Sequence, residues 1–344
     1  SDARHHRTVT STLTTFAPPR GPAPAPQAFH RPRQSFAKAQ EGLGATPELL
    51  ASQAWCRLRL QDWDGADQTA RDLISRFPQH RLRGDAFYYI GYVAYVKDEG
   101  PKAREILSIL PDEYGDSPFC PAAQFLFGLT YKPNETTDED AFKKGIAAWE
   151  EFTSKYGSHP LAPEVYIWIG ESQTHWGDHT AAIATMERFL ARHPQDERAP
   201  QAQFAIGQAF FALQKFDEAT QAWQKFLATW PNDQKWQTAQ AQVVEAAWHK
   251  GKTLFDAEKY EEAIAPWQDF LRQFPLSEHC AEIQYQLGEI ASKQDKDEQA
   301  IAEWEKAVSK YGKSEWAANA ALDIAWFHEH ILAKTEEDVE KVVV

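Results

Sequence analysis

The sequence predicts an all-α fold: a right-handed superhelical solenoid of about seven helical hairpins followed by a C-terminal helix. Two observations predict it. The first is a marker set with fixed spacing, in which a Gly is followed twelve residues later by an Ala, and twelve after that by a Pro or Gly. Gly91–Ala103–Gly115, Gly170–Ala182–Pro194, Gly207–Ala219–Pro231, Gly251–Ala263–Pro275 and Gly288–Ala300–Gly312 all obey it. Self-similarity at a fixed period marks a stack of equivalent units, each too small to bury its apolar face alone. The second is helix periodicity between the markers. In Gln203–Phe211 the apolar residues fall on one helical stripe, and Trp223, Phe226 and Leu227 do the same on the next segment. Trp230-Pro231 then ends that segment, because proline cannot continue a helix and biases the preceding residue to extended backbone.

Taken in order, residues 1–40 form a basic, Pro-rich extended arm. Pro18, Pro19, Pro22, Pro24, Pro26 and Pro32 favour extended geometry, and the segment has too little apolar surface to offset ordering. Its only aromatics before residue 35, Phe16 and Phe29, are its candidate anchors. Helical repeats occupy residues 41–333. The first hairpin has Ala54 in place of the Gly, with Ala66 and Pro78 at the proper spacing. The third carries about five extra residues around Asn134-Glu135-Thr136 after Gly128, and Gly145 stands where the Ala is expected. The fifth and sixth turn at Lys215-Phe216-Asp217-Glu218 and Lys259-Tyr260-Glu261-Glu262. A last, solvating helix is expected at about 317–333, and residues 334–344 read as a polar tail.

The markers resemble the tetratricopeptide repeat. Its run of Leu-Gly, aromatic, Ala, aromatic and terminal Pro appears as Ile206-Gly207, Phe210, Ala219, Trp223 and Pro231, and again as Leu287-Gly288, Ala300 and Trp304. In most units thirteen residues separate the Pro or Gly stop from the next Gly, as from Pro194 to Gly207 and from Pro275 to Gly288, which gives a period of 37. This long connector is similar to that of the bacterial envelope branch, the type of the Tol-Pal coordinator and the outer-membrane assembly lipoproteins. The resemblance implies a non-catalytic scaffold in the periplasm.

Charge and composition narrow the function classes. The net charge is −14, but residues 1–40 hold six Lys/Arg against Asp2 alone, so an acidic body carries a basic arm. An acidic body does not suit nucleic acid. No run of about 18 apolar residues exists, so no membrane-spanning helix is expected. Cys56, Cys120 and Cys280 fit neither a zinc site nor a disulfide framework. There is no phosphate-binding Gly loop, nucleophile elbow or HExxH motif. His175 and His179 are four apart, but the Trp176-Gly177-Asp178 turn breaks any helix that would align them. Asp138-Glu139-Asp140 reads as a helix N-terminus, where acids suit the dipole. No catalytic residues, metal or cofactor are expected.

The candidate partner-binding residues follow from phase. In a hairpin solenoid the first helix of each pair lines the concave wall. Residues three before the Gly marker are Tyr88, Phe125, Ile167, Phe204, Trp248 and Tyr285. Those one and four after give Tyr92 and Tyr95 in the second unit and Gln208 and Phe211 in the fifth, and the first unit offers Trp55 and Leu58. An apolar strip of this kind suits an extended or helical peptide, although the same residues could instead touch the second helix of their own pair. The expected function is therefore a protein-interaction scaffold, part of a hetero-complex, with a partner segment in the groove. The alternatives are a structural subunit held by its arm, or the repeat module of a larger enzyme.

Overall fold

The structure is a computed structural model, and it describes residues 45–329. The arm with Phe16 and Phe29, His5-His6, His330 and the 334–344 tail lie outside the described residues. Within them every regular element is helical. The chain divides into two compact units between Thr185 and Met186.

The first unit contains α1 (Pro47–Arg59), α2 (Trp63–Arg76), α3 (Arg83–Val96), α4 (Gly100–Leu107), α5 (Ile109–Glu113), α6 (Cys120–Leu129), α7 (Glu139–Lys155) and α8 (Ala162–Trp176); the unit boundary falls within α9 (His179–Arg192). The second unit continues with α10 (Ala199–Ala212), α11 (Phe216–Thr229), α12 (Trp236–Asp256), α13 (Tyr260–Gln273), α14 (His279–Lys293), α15 (Asp297–Tyr311) and α16 (Glu315–Phe327). Within each unit neighbouring helices pack pairwise along the chain, as the marker spacing predicts.

Local chemistry sets the helix starts. Thr46 caps α1, its hydroxyl accepting from the Leu49 N–H at 3.2 Å, with Pro47 at the first helical position. Asp138 caps α7 by accepting from the Asp140 and Ala141 N–H groups, which accounts for the acidic run there. The turns inside the hairpins share a feature the spacing did not reveal. Seven residues after the marker, Gln61, Asp98, Gln214, Glu258 and Asp295 have φ between 56° and 60°, and Gly177 has φ 88°. One left-handed residue ends each first helix and reverses the chain.

The markers themselves are packing contacts. Ala66, Ala103, Ala219, Ala263 and Ala300 are wholly buried. A Cβ placed on Gly128, Gly207, Gly251 or Gly288 would overlap the indole of Trp149, Trp223, Trp267 or Trp304, and on Gly91 it would overlap Leu107. The second helix thus lays one large side chain over the glycine of the first. Three of these indoles also donate to the carbonyl three residues before the glycine: Trp149 Nε1–H to Phe125 O at 3.0 Å, Trp223 to Phe204 O at 3.3 Å, and Trp304 to Tyr285 O at 3.1 Å.

Two elements differ from expectation. The second helix of the second hairpin is split at Ser108 into α4 and α5, with Pro111 in the latter. The last helix spans Glu315–Phe327 and is not polar on its outer side: Leu322 is 70% exposed and Trp326 51%.

Candidate interaction surface

The aromatic strip expected along the first helices of the first unit is largely core. Tyr88 is 1% exposed and stacks on Phe119 with ring centroids 4.7 Å apart. Phe125 is fully buried against Trp149 and Trp168. Leu58 and Tyr92 are also buried, Tyr92 lying 6.2 Å from the Trp63 ring. Trp55 is half-buried against Tyr89 and Phe119, and Tyr95 is half-buried at the end of α3. Ile167 is buried. The reason is geometric. The position three before the glycine packs against the second helix of its own hairpin, as Phe125 does on Trp149, or against the start of the next hairpin, as Tyr88 does on Phe119, so where those residues are large and apolar it is sealed. The buried residues here have no surface to offer a partner.

In the second unit the candidates are buried at Phe204 and half-buried at the other positions. Phe204 is buried between Trp223 and Phe226, with the Lys235 Nζ 4.8 Å from its ring. Phe211 is half-buried and meets Phe216 and His249. Trp248 is half-buried and stacks on His279 at 4.4 Å. Tyr285 is half-buried, and its hydroxyl donates to Asp323 Oδ2 at 2.8 Å.

Polar groups accompany these rings. His279 Nε2 lies 3.0 Å from Glu245 Oε1, tying α14 to α12. Glu282 is half-buried, and burial raises its pKa against the lowering influence of Lys252. Glu289, one turn beyond Tyr285, is raised for the same reason, opposed by Lys293. Beside the Glu245–His279 pair is an open cleft of about 520 Å³, lined by Ala241, Val244, Phe274 and Leu276 among others. Leu276 projects at its rim, 98% exposed. This part of the surface was not singled out in the sequence. Leu276 sits in a connector, and only the fold brings it beside Val244, 32 residues earlier.

The arrangement offers apolar area, aromatic faces and carboxylates. Among the described residues no group of three or more His, Cys, Asp or Glu is placed to hold a metal. His175 lies in the last turn of α8 and His179 opens α9, with the left-handed Gly177 between them. No described helix is long and apolar enough to cross a membrane.

These hairpins, with their Gly–Trp contacts and buried Ala markers, define a tetratricopeptide repeat protein, and a profile of that repeat matches residues 52–80. The profile of the outer membrane lipoprotein family, YfiO, matches residues 163–304 and again 204–342, together more than half of the 344 residues, and the chain belongs to that family. Solved structures are similar at low identity. The C-terminal part of a TPR repeat-containing protein from Cytophaga hutchinsonii aligns at 14% identity and TM-score 0.49, over 81% of this chain and 98% of that one. A tetratricopeptide repeat protein from Parabacteroides merdae aligns at 14% identity and TM-score 0.42, over 80% and 96%. PilW, a type IV pilus biogenesis factor, aligns at 13% identity and TM-score 0.43, over 68% and 98%. No curated protein matches the chain.

Proposed function

We propose that this protein is a non-catalytic scaffold of a bacterial envelope assembly, working in the periplasm, and that it holds a segment of a protein partner on the α12–α14–α16 side of its second unit. The observation that carries the proposal is the cleft beside Glu245 and His279, where an exposed Leu276 and an apolar floor adjoin carboxylates. Such a site suits a segment with an apolar anchor and neighbouring Lys or Arg. Apolar burial supplies affinity there, and charge complementarity supplies selectivity and encounter rate. Half-buried Trp248 and Tyr285 lie along the same helices and extend the contact. Membership of the outer membrane lipoprotein family supports the envelope setting.

The test is quantitative capture of partners from a periplasmic extract, comparing the wild-type chain with Leu276→Asp and with Glu245→Lys. Leu276 is exposed, whereas Glu245 is half-buried and pairs with His279, so circular dichroism and a thermal melt of each variant check that the helices persist without that contact. Loss in both variants of the same specific partner, which then binds the purified wild-type chain, is the expected result. Unchanged capture by both would move the partner site off this surface.

A further inference from the structure

Three of the first helices carry a glutamine four residues before the glycine marker: Gln124, Gln203 and Gln284. Each donates from Nε2 to a carbonyl of the second helix of its own hairpin: Ala148 O at 3.1 Å, Ala222 O at 3.1 Å and Glu303 O at 3.3 Å. A carbonyl only accepts, so this contact fixes which way each amide points. In two of the hairpins a carboxylate also lies on that nitrogen, Glu151 Oε2 at 3.1 Å on Gln124 and Glu303 Oε2 at 2.6 Å on Gln284. In the α10–α11 hairpin neither acid is present. Ala222 stands where Glu303 does, one before the indole that covers the glycine, and Lys225 stands where Glu151 does, two after it.

Both of these positions line an open cleft of about 570 Å³ among α9, α10 and α11, and all of the lining residues belong to the second unit. Gln203 lines it too and is 3% exposed, and its Oε1 is enclosed with no hydrogen-bond partner among the described residues. An unpaired buried acceptor is costly, and a donor brought in by a ligand removes that cost. The lining around it is apolar at Ile206, which is buried, and at Leu190 and Phe210, which are half-buried. Exposed Glu187, Glu218 and Lys225 complete it, so charges of both signs meet there.

These features select one kind of occupant. A carboxylate would face two acids and an acceptor oxygen. A bare cation would face Lys225 and give up its water over apolar side chains. An aliphatic or phenyl side chain would leave Gln203 Oε1 unpaired. An indole brings a large apolar face and one N–H that only donates. The chain uses the same contact in its own packing, where Trp149, Trp223 and Trp304 donate to carbonyl oxygens. We propose that the cleft takes a tryptophan side chain of a partner protein, its ring on Leu190, Ile206 and Phe210 and its Nε1–H donating to Gln203 Oε1. The oxygen is enclosed in the free chain, so side chains of the cleft shift slightly as the ring enters. The site shares no residue with the cleft beside Glu245 and His279, and goes beyond the partner contact proposed there.

The test titrates N-acetyl-tryptophanamide into the isotope-labelled full chain and follows the backbone amide signals by NMR. Saturable shifts centred on residues 187–191, 203–210 and 218–225 are the expected result. The ring-N-methyl derivative, which keeps the indole face and loses the donor, should bind about tenfold more weakly. Two variants borrow arrangements already present in this fold. Ala222→Glu copies Glu303 over Gln284, and Lys225→Glu copies Glu151 over Gln124; each lays an internal carboxylate on the Gln203 amide and should weaken the probe about tenfold. A thermal melt checks each fold. If Ala222→Glu is unstable, Lys225→Glu, at an exposed position, decides. No shifts in these helices, equal affinity for the methylated probe, or unchanged binding by the folded variants would each overturn the proposal. Tighter binding of N-acetyl-argininamide at the same residues would overturn it in favour of a cation pocket.

Discussion

Asp85 is a carboxyl in the wrong solvent. It lies in the first turn of α3 with only 8% of its surface exposed, and it accepts a hydrogen bond from the Ser117 hydroxyl at 3.2 Å. Burial raises its pKa to about 6, against the lowering influence of Ser117 and Arg81. The unfolded chain ionises this group near its ordinary value, so the folded state binds the proton more tightly. Stability is therefore full below about pH 4 and falls as pH rises to about 6, a loss of about 2–3 kcal/mol. Asp85→Asn keeps the acceptor for Ser117 and removes the charge. Urea titration should find the variant more stable at pH 7 by up to that amount and no more stable at pH 4; a gain equal at both would refute the assignment. A second prediction isolates backbone strain. A Cβ at Gly177 meets nothing within 4 Å, but its φ is 88°. Gly177→Ala should lower stability by about 1 kcal/mol through the left-handed backbone alone, read from the same titration. Neither position was legible in the sequence as more than a turn or a first-helix residue. The neighbour that buries Asp85 is 32 residues away, and residue spacing does not encode that contact.

At the scale of the element, the markers were read correctly as packing sites, but not which partner fills them. The spacing of Gly207 and Ala219 identifies two helices that approach closely. It does not say that Trp223 lies flat over the glycine and donates to Phe204 O. Gly207→Ala would force that indole aside, and should cost about 1–3 kcal/mol by overpacking despite the better helix propensity of Ala. Trp223→Phe in the same chain removes the clashing ring edge, so the double variant should be more stable than the two single losses added together. Strict additivity in thermal or urea melts would mean the indole is not the obstacle. The same logic explains the corrected groove. Tyr88 and Phe125 share the phase of concave residues, and hydrophobic phase alone cannot separate a side chain facing the groove from one packed against a neighbouring helix or connector. Ring contacts such as Tyr88 on Phe119 decide it, and these depend on the connector's path.

For the whole molecule, the informative quantity is the uneven charge. The chain carries −14, and residues beyond the basic arm carry more than that. A body of this sign attracts cationic segments from a distance and is screened by salt. Glu282 and Glu289 give the proposed site a further dependence. Burial raises both carboxyls, so each takes up its proton at a higher pH than an exposed glutamate does. A cationic partner binds the ionised form and loses that attraction on protonation. Affinity for such a partner should therefore fall as pH drops from neutral through the raised range, and rise again on return. Glu282→Gln with Glu289→Gln should bind more weakly at neutral pH and lose most of this pH dependence, with the change mainly in the association rate, as expected for charges at the rim of a contact. Surface plasmon resonance across pH and ionic strength reads both effects. If the double variant keeps the wild-type pH profile, the titrating groups lie elsewhere; if binding is also insensitive to salt, the partner is apolar rather than cationic, and the Leu276 cleft alone would account for it.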